Sequence, residues 1–436
     1  MSKILDTSQN SLNKALELLN SEDVVAIPTE TVYGLAASAA STKAVEKVFK
    51  IKGRPSFNPI ISHYASLDEI FKDVIYDERV IKLAESFWPG PLTIILNKTK
   101  NSRISEIVCA GLNTAGVRIP RHPFTLELLR QFAAPLAAPS ANPSGRLSPS
   151  SAAHVAKLFQ DHEAGGNAEI GVPSTFYKGS VVERTSSRLR RMNDRSALGV
   201  HEDHEDDENA EIGVSSTFYK GSVFERTSSR LRRTNDRSAL GVHEDHEDDE
   251  NAEIEVQRHC LEWIVDGGNC ECGLESTVLD LSSSLPKLLR YGSVSVMELK
   301  NILGEIALPE QDESIRSPGM LLKHYAPKCK LRLNYSFNEQ PRENEALIAF
   351  GSITEFLTRS QSKLAESDLK CLFRKIINIS PSADLDEAAS KLFSSLHELE
   401  SLGVDSIAVM SIPDFAVGKA INDRLLRAAR GAEDLL

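Results

Sequence analysis

Five short polar segments carry residue types that could hold and activate small anions. Residues 28–35 read PTETVYGL, two hydroxyls around a carboxylate, and alternation would put Thr29 and Thr31 on one face of a strand running into a turn. Lys50, Lys52 and Arg54 stand at alternate positions, followed by Asn58 and His63. Like charges so spaced repel by a few tenths to about 1 kcal/mol in water, which any exposed loop tolerates, and a polyphosphate would turn the repulsion into attraction. VRIPRHP sets Arg118 and Arg121 beside a strand end, and PSAN offers Ser140 and Asn142, whose short side chains and exposed amides suit phosphate oxygens. GLEST offers Ser276, with Arg290 fourteen residues on. Each segment alone has an ordinary structural reading. Together they describe a pocket of cations and hydroxyls without an obvious covalent nucleophile, suited to aligning anions against a nucleotide phosphate by positioning and electrostatics.

Other routes to nucleotide or hydrolytic chemistry lack their signatures. The chain has no GxxxxGK[ST] loop, no GxGxxG after a strand, no nucleophile elbow and no zinc-finger spacing, and Cys270 and Cys272 form a lone CxC. No residue stands out as a general base.

The elements that must position these loops are those of a mixed α/β chain. Runs 23–28, 92–98 and 115–120 read as strands, and 42–52 reads as a helix stopped by Gly53 and Pro55. The first twenty residues read as an amphipathic helix with Leu12, Leu16, Leu18 and Leu19 inward. HPFTLELLRQF predicts a helix, APLAAPSAN a strand entering a polar loop, and SPSSAAHVAKLF a helix capped by Ser148 or Ser150. LEWIVDGG and ESTVLDLS resume the sheet, and SVMELKNIL is a helix. From about 331, strand, helix, strand and helix follow one another, as in a small parallel three-layer unit, with 316–328 as the linker into it.

The 436 residues allow two or three domains, and 41% hydrophobic with 26% charged residues excludes collagen-like, coiled-coil and wholly disordered classes. A formal charge of −12 leaves no bulk basic field for nucleic acid, so any phosphate site must be local. No apolar run approaches the ~18 residues of a membrane span, the first twenty residues lack the apolar core of a secretion signal, and six cysteines in so long a chain do not suggest a disulfide framework; the compartment expected is the cytoplasm. Residues 167–208 recur at 209–250 with three differences, Pro173/Ser215, Val182/Phe224 and Met192/Thr234, and a third copy begins at 251. Near-identity everywhere marks a recent tandem duplication rather than stacked repeats. Each copy holds nine acidic and six basic residues, and its HEDHEDDE tail reads as a solvated acidic run rather than a metal site. The segment 167–256 is therefore expected to be a poorly ordered insertion in a surface loop.

PTETVYGL, KxKGRPxxNPI, VRIPRHP, APSANPSG, GLESTV, LLRYGS and SPGM…HYAP, in that order, resemble the two-domain YrdC/Sua-type threonylcarbamoyl-AMP synthases. The resemblance covers the chain outside the duplicated segment. It implies a twisted, open α/β sheet around a basic concave cavity in 1–166 and 257–312, a linker over the active site at 313–330, and a Rossmann-like domain at 331–436. It implies that L-threonine, bicarbonate and ATP, with Mg²⁺, give L-threonylcarbamoyladenylate and pyrophosphate, and that the product passes to a separate tRNA threonylcarbamoyltransferase. Carried over by position, Thr31, His63, Arg118, Ala138 and Ser276 hold threonine; Arg54, Asn58, Thr114, Ser140, Ser148, Arg290 and Tyr325 contact ATP. Lys50, Lys52, Arg54, Ser140 and Asn142 form the catalytic set, with no protein-held metal. A module that only binds tRNA or double-stranded RNA, weakly, through the same basic cavity is the rival reading, and so is a carbamoyl-adenylate enzyme of the hydrogenase-maturation type. The threonine set counts against the first, and missing zinc-finger and acylphosphatase-like segments against the second.

Overall fold

A computed structural model describes residues 2–164, 260–309, 325–359 and 365–433. The duplicated segment and most of the expected linker lie outside these residues, so the expectations placed on them are not addressed below.

The first sheet has ten strands in the order β1-β8-β2-β3-β7-β4-β6-β5-β9-β10. Its members are β1 (Lys3–Leu5), β2 (Val25–Ile27), β3 (Gly34–Ser38), β4 (Ile61–His63), β5 (Leu92–Asn97), β6 (Thr114–Arg118), β7 (Leu136–Ala137), β8 (Trp263–Val265), β9 (Thr277–Asp280) and β10 (Lys287–Arg290). It is a mixed sheet: β4 runs parallel to β6, and β7 antiparallel to both β3 and β4. Six helices belong to the same stretch of chain: α1 (Gln9–Asn20), α2 (Thr42–Lys52), α3 (Leu67–Phe71), α4 (Glu78–Phe87), α5 (Pro123–Phe132) and α6 (Ala152–Ala164). A seventh, α7 (Val296–Leu303), follows β10.

The short apolar run at β2 is buried on both faces, as a continuous run predicts. Val25 and Ile27 face α1 and α5 through Leu12, Leu19, Leu128 and Leu129, whereas Val24 and Ala26 belong to the larger core that holds Val45, Val48 and Leu83. The opening of the chain differs from the expected single helix. Lys3–Leu5 add a strand parallel to β8, and the helix starts only after Ser8, whose side chain accepts from the Ser11 amide. Helix α6 is capped by Ser151, which accepts from the His154 amide, and not by Ser148 or Ser150.

The second sheet is parallel, in the order β11-β14-β12-β13: β11 (Lys330–Tyr335), β12 (Glu345–Phe350), β13 (Ile376–Ser380) and β14 (Ser406–Met410). Helices α8 (Ile353–Arg359) and α9 (Glu366–Leu372) cover one face; α10 (Leu385–Ser401) and α11 (Gly418–Glu433) cover the other. Strand β12 shows why: Ala346 and Ile348 pack with Leu392 and Phe393 of α10, while Leu347 and Ala349 pack with Leu357 and Leu369. The α10-side core also takes in Val32, Leu147 and Leu274, three residues from loops of the first sheet. Loops of the first sheet and helices of the second thus share one apolar cluster, and the polar cavity lies beside it.

Candidate active site

A cavity of about 540 Å³ opens where strand ends of the first sheet meet the loops that follow them. Thr31, His63, Arg118, Ala138 and Ser276 all line it, and so do Arg54, Ser140, Arg290 and Tyr325. Their elements explain the convergence. His63 ends β4 and Arg118 ends the parallel neighbour β6, at partnered positions, so two side chains far apart in sequence emerge at one sheet edge. Ala138 and Ser140 follow the adjacent β7, and Ser276 precedes β9.

The segment 28–33 is a turn between β2 and β3 rather than an extending strand. Thr29 and Thr31 still meet, their hydroxyls 2.9 Å apart, because Thr29 Oγ1 accepts from the amides of Thr31 and Val32 and closes the turn. Arg118 Nη2 then donates to Thr31 Oγ1 at 3.0 Å and to Glu30 Oε1 at 2.7 Å, while its Nε donates to the Gly90 carbonyl. Burial pushes the Glu30 carboxyl up, but Arg118 and the amide of Arg121 outweigh it and hold the group below its ordinary value. Arg118 Nη1 takes no part in these bonds. Elsewhere in the lining, Ser276 Oγ lies 2.8 Å from Thr93 Oγ1, and Arg290 donates to both the Ser276 carbonyl and its hydroxyl.

The electrostatics favour an anionic guest. Burial lowers the Arg54 guanidinium to about 9, and the neighbouring Arg290 charge adds to that shift. Arg290 is lowered by burial as well. Two partly desolvated guanidiniums facing one another are relieved by an anion placed between them. His63 is driven down to about 3, first by burial and then by Arg118, so its ring is neutral at physiological pH; its Nδ1 is buried with no hydrogen-bond partner among the described residues. A neutral imidazole with an uncommitted nitrogen can hold an amine or hydroxyl but is a poor proton acceptor.

Several expected residues take other places. Lys50 is exposed at the end of α2 and does not line the cavity. Lys52 is buried, its ammonium donating to the backbone carbonyls of Ser140 and Asn142, which pins the PSAN loop. Burial and Arg54 hold that amine well below the usual lysine value, so it acts on the loop rather than as a free cation for phosphate. Asn142 spends its amide nitrogen on Pro143 and Arg146 carbonyls; what remains, a buried Oδ1 without a partner, is an acceptor suited to a hydroxyl or amino group and not to phosphate oxygens. Asn58 is buried beside Arg54 with its Oδ1 likewise unpartnered. Thr114 opens β6 on the same strand face as Arg118 but four residues, about 13 Å, away, and it does not line the cavity. Ser148 is fully buried and reaches the cavity only through Glu275, to which its hydroxyl donates. Arg121 points outward to an exposed pair with Glu271.

Glu30, Glu275 and Arg424 were not singled out by sequence reasoning. Both acids stand inside quoted motifs, PTETVYGL and GLEST, each directly before a hydroxyl residue, and that shared pairing was the available signal. Tyr325, at the edge of the expected linker, is buried against the cavity with φ of 65°, the left-handed region where a bulky residue is strained and which clusters at functional sites.

Comparison with known proteins fits this geometry. Residues 17–191 match a family model described as "Telomere recombination" (Sua5, YciO and YrdC), and residues 294–430 match the threonylcarbamoyl-AMP synthase C-terminal domain. A threonylcarbamoyl-AMP synthase of Bacillus subtilis is 30% identical over 436 residues, spanning 98% of this chain and 95% of the relative. This chain belongs to the threonylcarbamoyl-AMP synthase family. A Pyrococcus abyssi synthase is 27% identical over 93% of this chain and 90% of its own length. The structure of P. abyssi Sua5 complexed with L-threonine superposes with a TM-score of 0.65 at 24% identity, covering 99% of this chain and 98% of the other. The fold is therefore shared with that synthase. No helix among the described residues is long and apolar enough to cross a membrane.

Proposed function

We propose that this synthase joins L-threonine, bicarbonate and ATP into L-threonylcarbamoyladenylate, releasing pyrophosphate, and that the product supplies tRNA modification beside the anticodon through a separate transferase in the cytoplasm. The observation that carries the reading is the meeting of two sets in one cavity: Thr31, His63, Arg118, Ala138 and Ser276, and with them Arg54, Ser140, Arg290 and Tyr325.

Arg118 suits the threonine carboxylate, since the guanidinium edge not used on Glu30 and Gly90 can donate to it. Neutral His63 and the Thr31 hydroxyl would hold the amino acid's polar groups, with the Ala138 backbone beside them. Arg54 and Arg290 would take the triphosphate, with Ser140 as a further donor; Asn58 and Asn142, which do not line the cavity, would act through the loops that carry Arg54 and Ser140. Mg²⁺ would enter as part of the nucleotide substrate and would supply charge neutralisation to its phosphates. The threonine nitrogen attacks the carbon of bicarbonate or CO₂, losing a proton, and water leaves in the bicarbonate case. An oxygen of the resulting carbamate attacks the α-phosphorus, and the α–β bridging oxygen departs with pyrophosphate. The protein's part is to hold three anions together by positioned cations, for no side chain here is poised as a base.

The test is pyrophosphate release by the purified full chain with Mg·ATP, omitting threonine and bicarbonate in turn. Release that requires both supports the reading. Salt-sensitive binding of tRNA without such release would favour the RNA-binding module instead.

A further inference from the structure

Among the described residues, the helices and strands of the parallel domain contribute nothing to the lining of the cavity, yet one of their side chains reaches its wall. Arg424, on α11, is 1% exposed and donates through Nε to Glu275 Oε2 at 3.0 Å. The other Glu275 oxygen accepts from Ser148, and Glu275 itself lines the cavity. The same guanidinium lies 5.4 Å from the ring centre of Tyr325, which also lines the cavity, and its Nη1 donates to Asp423 at 2.8 Å. We propose that Arg424 is a positioning residue for nucleotide binding: by neutralising and orienting Glu275 it holds the nucleotide side of the cavity positive.

The backbone around Glu275 is set between fixed surfaces, so the acid has little freedom except in its own side chain. Gly273, with φ of 67°, sits so close to α10 that an added Cβ would come within 2.5 Å of the Ser390 carbonyl oxygen. Gly292 lies against 275–277, where a Cβ would meet the Thr277 nitrogen at 2.2 Å. Glu275 and Arg290 face the same cavity, and each charge acts on the other. Without Arg424, a carboxylate 6% exposed in the cavity wall would lose the buried guanidinium that its Oε2 accepts from, and the wall would lose one positive charge. A triphosphate entering would then meet a less positive wall. A lysine cannot repair this fully, because a single ammonium cannot serve Glu275 and Asp423 in the fork geometry while stacking on Tyr325.

This inference rests on the proposed reading of the cavity, and its test separates the two. Wild type, Arg424→Lys and Arg424→Met full-length chains are compared, each assayed at least 10 °C below its own Tm, for KM of Mg·ATP and of threonine and for equilibrium binding of Mg·ATP and of adenosine. The expected result is an ATP KM and Kd raised about tenfold in Arg424→Lys and further in Arg424→Met, with threonine KM and adenosine Kd within twofold of wild type, because the penalty follows the charge of the ligand. Unchanged ATP constants with only a lower Tm or a smaller active fraction would overturn the proposal, and so would equal losses for ATP and adenosine. Should Arg424→Met not fold, Arg424→Lys decides. Should wild type release no pyrophosphate with threonine and bicarbonate, the synthase reading fails, while the ATP and adenosine binding comparison still decides the role of Arg424.

Discussion

Two buried carboxylate–guanidinium pairs flank the cavity, built on the same local plan but for different ends. Glu30 precedes Thr31 and meets Arg118 at 2.7 Å; Glu275 precedes Ser276 and meets Arg424 at 3.0 Å. In each case the hydroxyl residue lines the cavity. The first pair joins the turn between β2 and β3 to the end of β6, and its arginine lines the cavity. The second joins the GLEST loop to the last helix of the parallel domain, and its arginine stays behind the wall. A buried ion pair is weak grounds for stability in itself, since desolvation cancels much of the attraction. What the contrast teaches is where each pair's geometry is used: one arginine lines the cavity itself, the other bonds an acid of its wall from behind.

The largest effect should come from breaking the first pair. Arg118→Met leaves Glu30 uncompensated and removes the carboxylate partner together; we expect a loss of about 3–5 kcal/mol in urea unfolding and at least ~100-fold in kcat/KM for threonine. Loss of stability without loss of threonine specificity would remove Arg118 from the binding role. Next comes Ser276→Ala, which deletes a hydroxyl bonded to Thr93 and Arg290. These bonds are internal, and a hydrogen bond to a charged group is worth about 1.5–3 kcal/mol, so urea unfolding should show a loss of about that size, and loosening the Arg290 side chain they orient should cost roughly 10-fold in kcat/KM.

How much of this could be read from the chain depends on the range of the signal. Long strands and helices declared themselves: 92–97, 345–350 and 385–401 carry enough periodic apolar residues to fix type and extent. The three-residue β1 and two-residue β7 could not, because so short a run holds no period, and their place is fixed by partners far along the chain. The site residues were legible through motifs whose order survives in the sequence, while their division of labour was not. Lys52 resembles a phosphate-binding cation until the fold buries it under the PSAN carbonyls. The Glu275–Arg424 pair spans 149 positions, and no local pattern announces a contact of that length.

A subtler effect, in pH, touches both sides of the comparison. His63 beside the first pair is held near 3, and burial lowers His154 to about 3 and His397 to about 4 where these two rings stack 4.2 Å apart, His397 bonding the Ser148 carbonyl behind the second pair. Histidines lowered in the folded state are protonated first in the unfolded chain. Stability should therefore be full above about 6.5 and fall as pH drops from there toward 3, by up to about 1.4 kcal/mol per pH unit for each histidine. Urea melts across that window check the slope, and His397→Phe should make it shallower by about a third. The same shift predicts no inflection near pH 6–7 in threonine KM from His63.

The smallest effect is expected at Arg121, whose ion-pair partner among the described residues, Glu271, is 70% exposed in its side chain. Arg121→Ala should leave stability within about 0.5 kcal/mol and kinetics within about twofold. A large loss would show that the binding side extends past Arg118 to the outer surface.

The central claim is that the cavity joins threonine, a one-carbon anion and the α-phosphate of ATP. The most direct measurement supplies ¹³C-bicarbonate with Mg·ATP and threonine and follows the products by mass spectrometry. The account predicts an adenylate of threonine carrying one ¹³C, formed in step with pyrophosphate and absent when threonine is left out. Pyrophosphate or AMP formed with no ¹³C in any adenylate would contradict it.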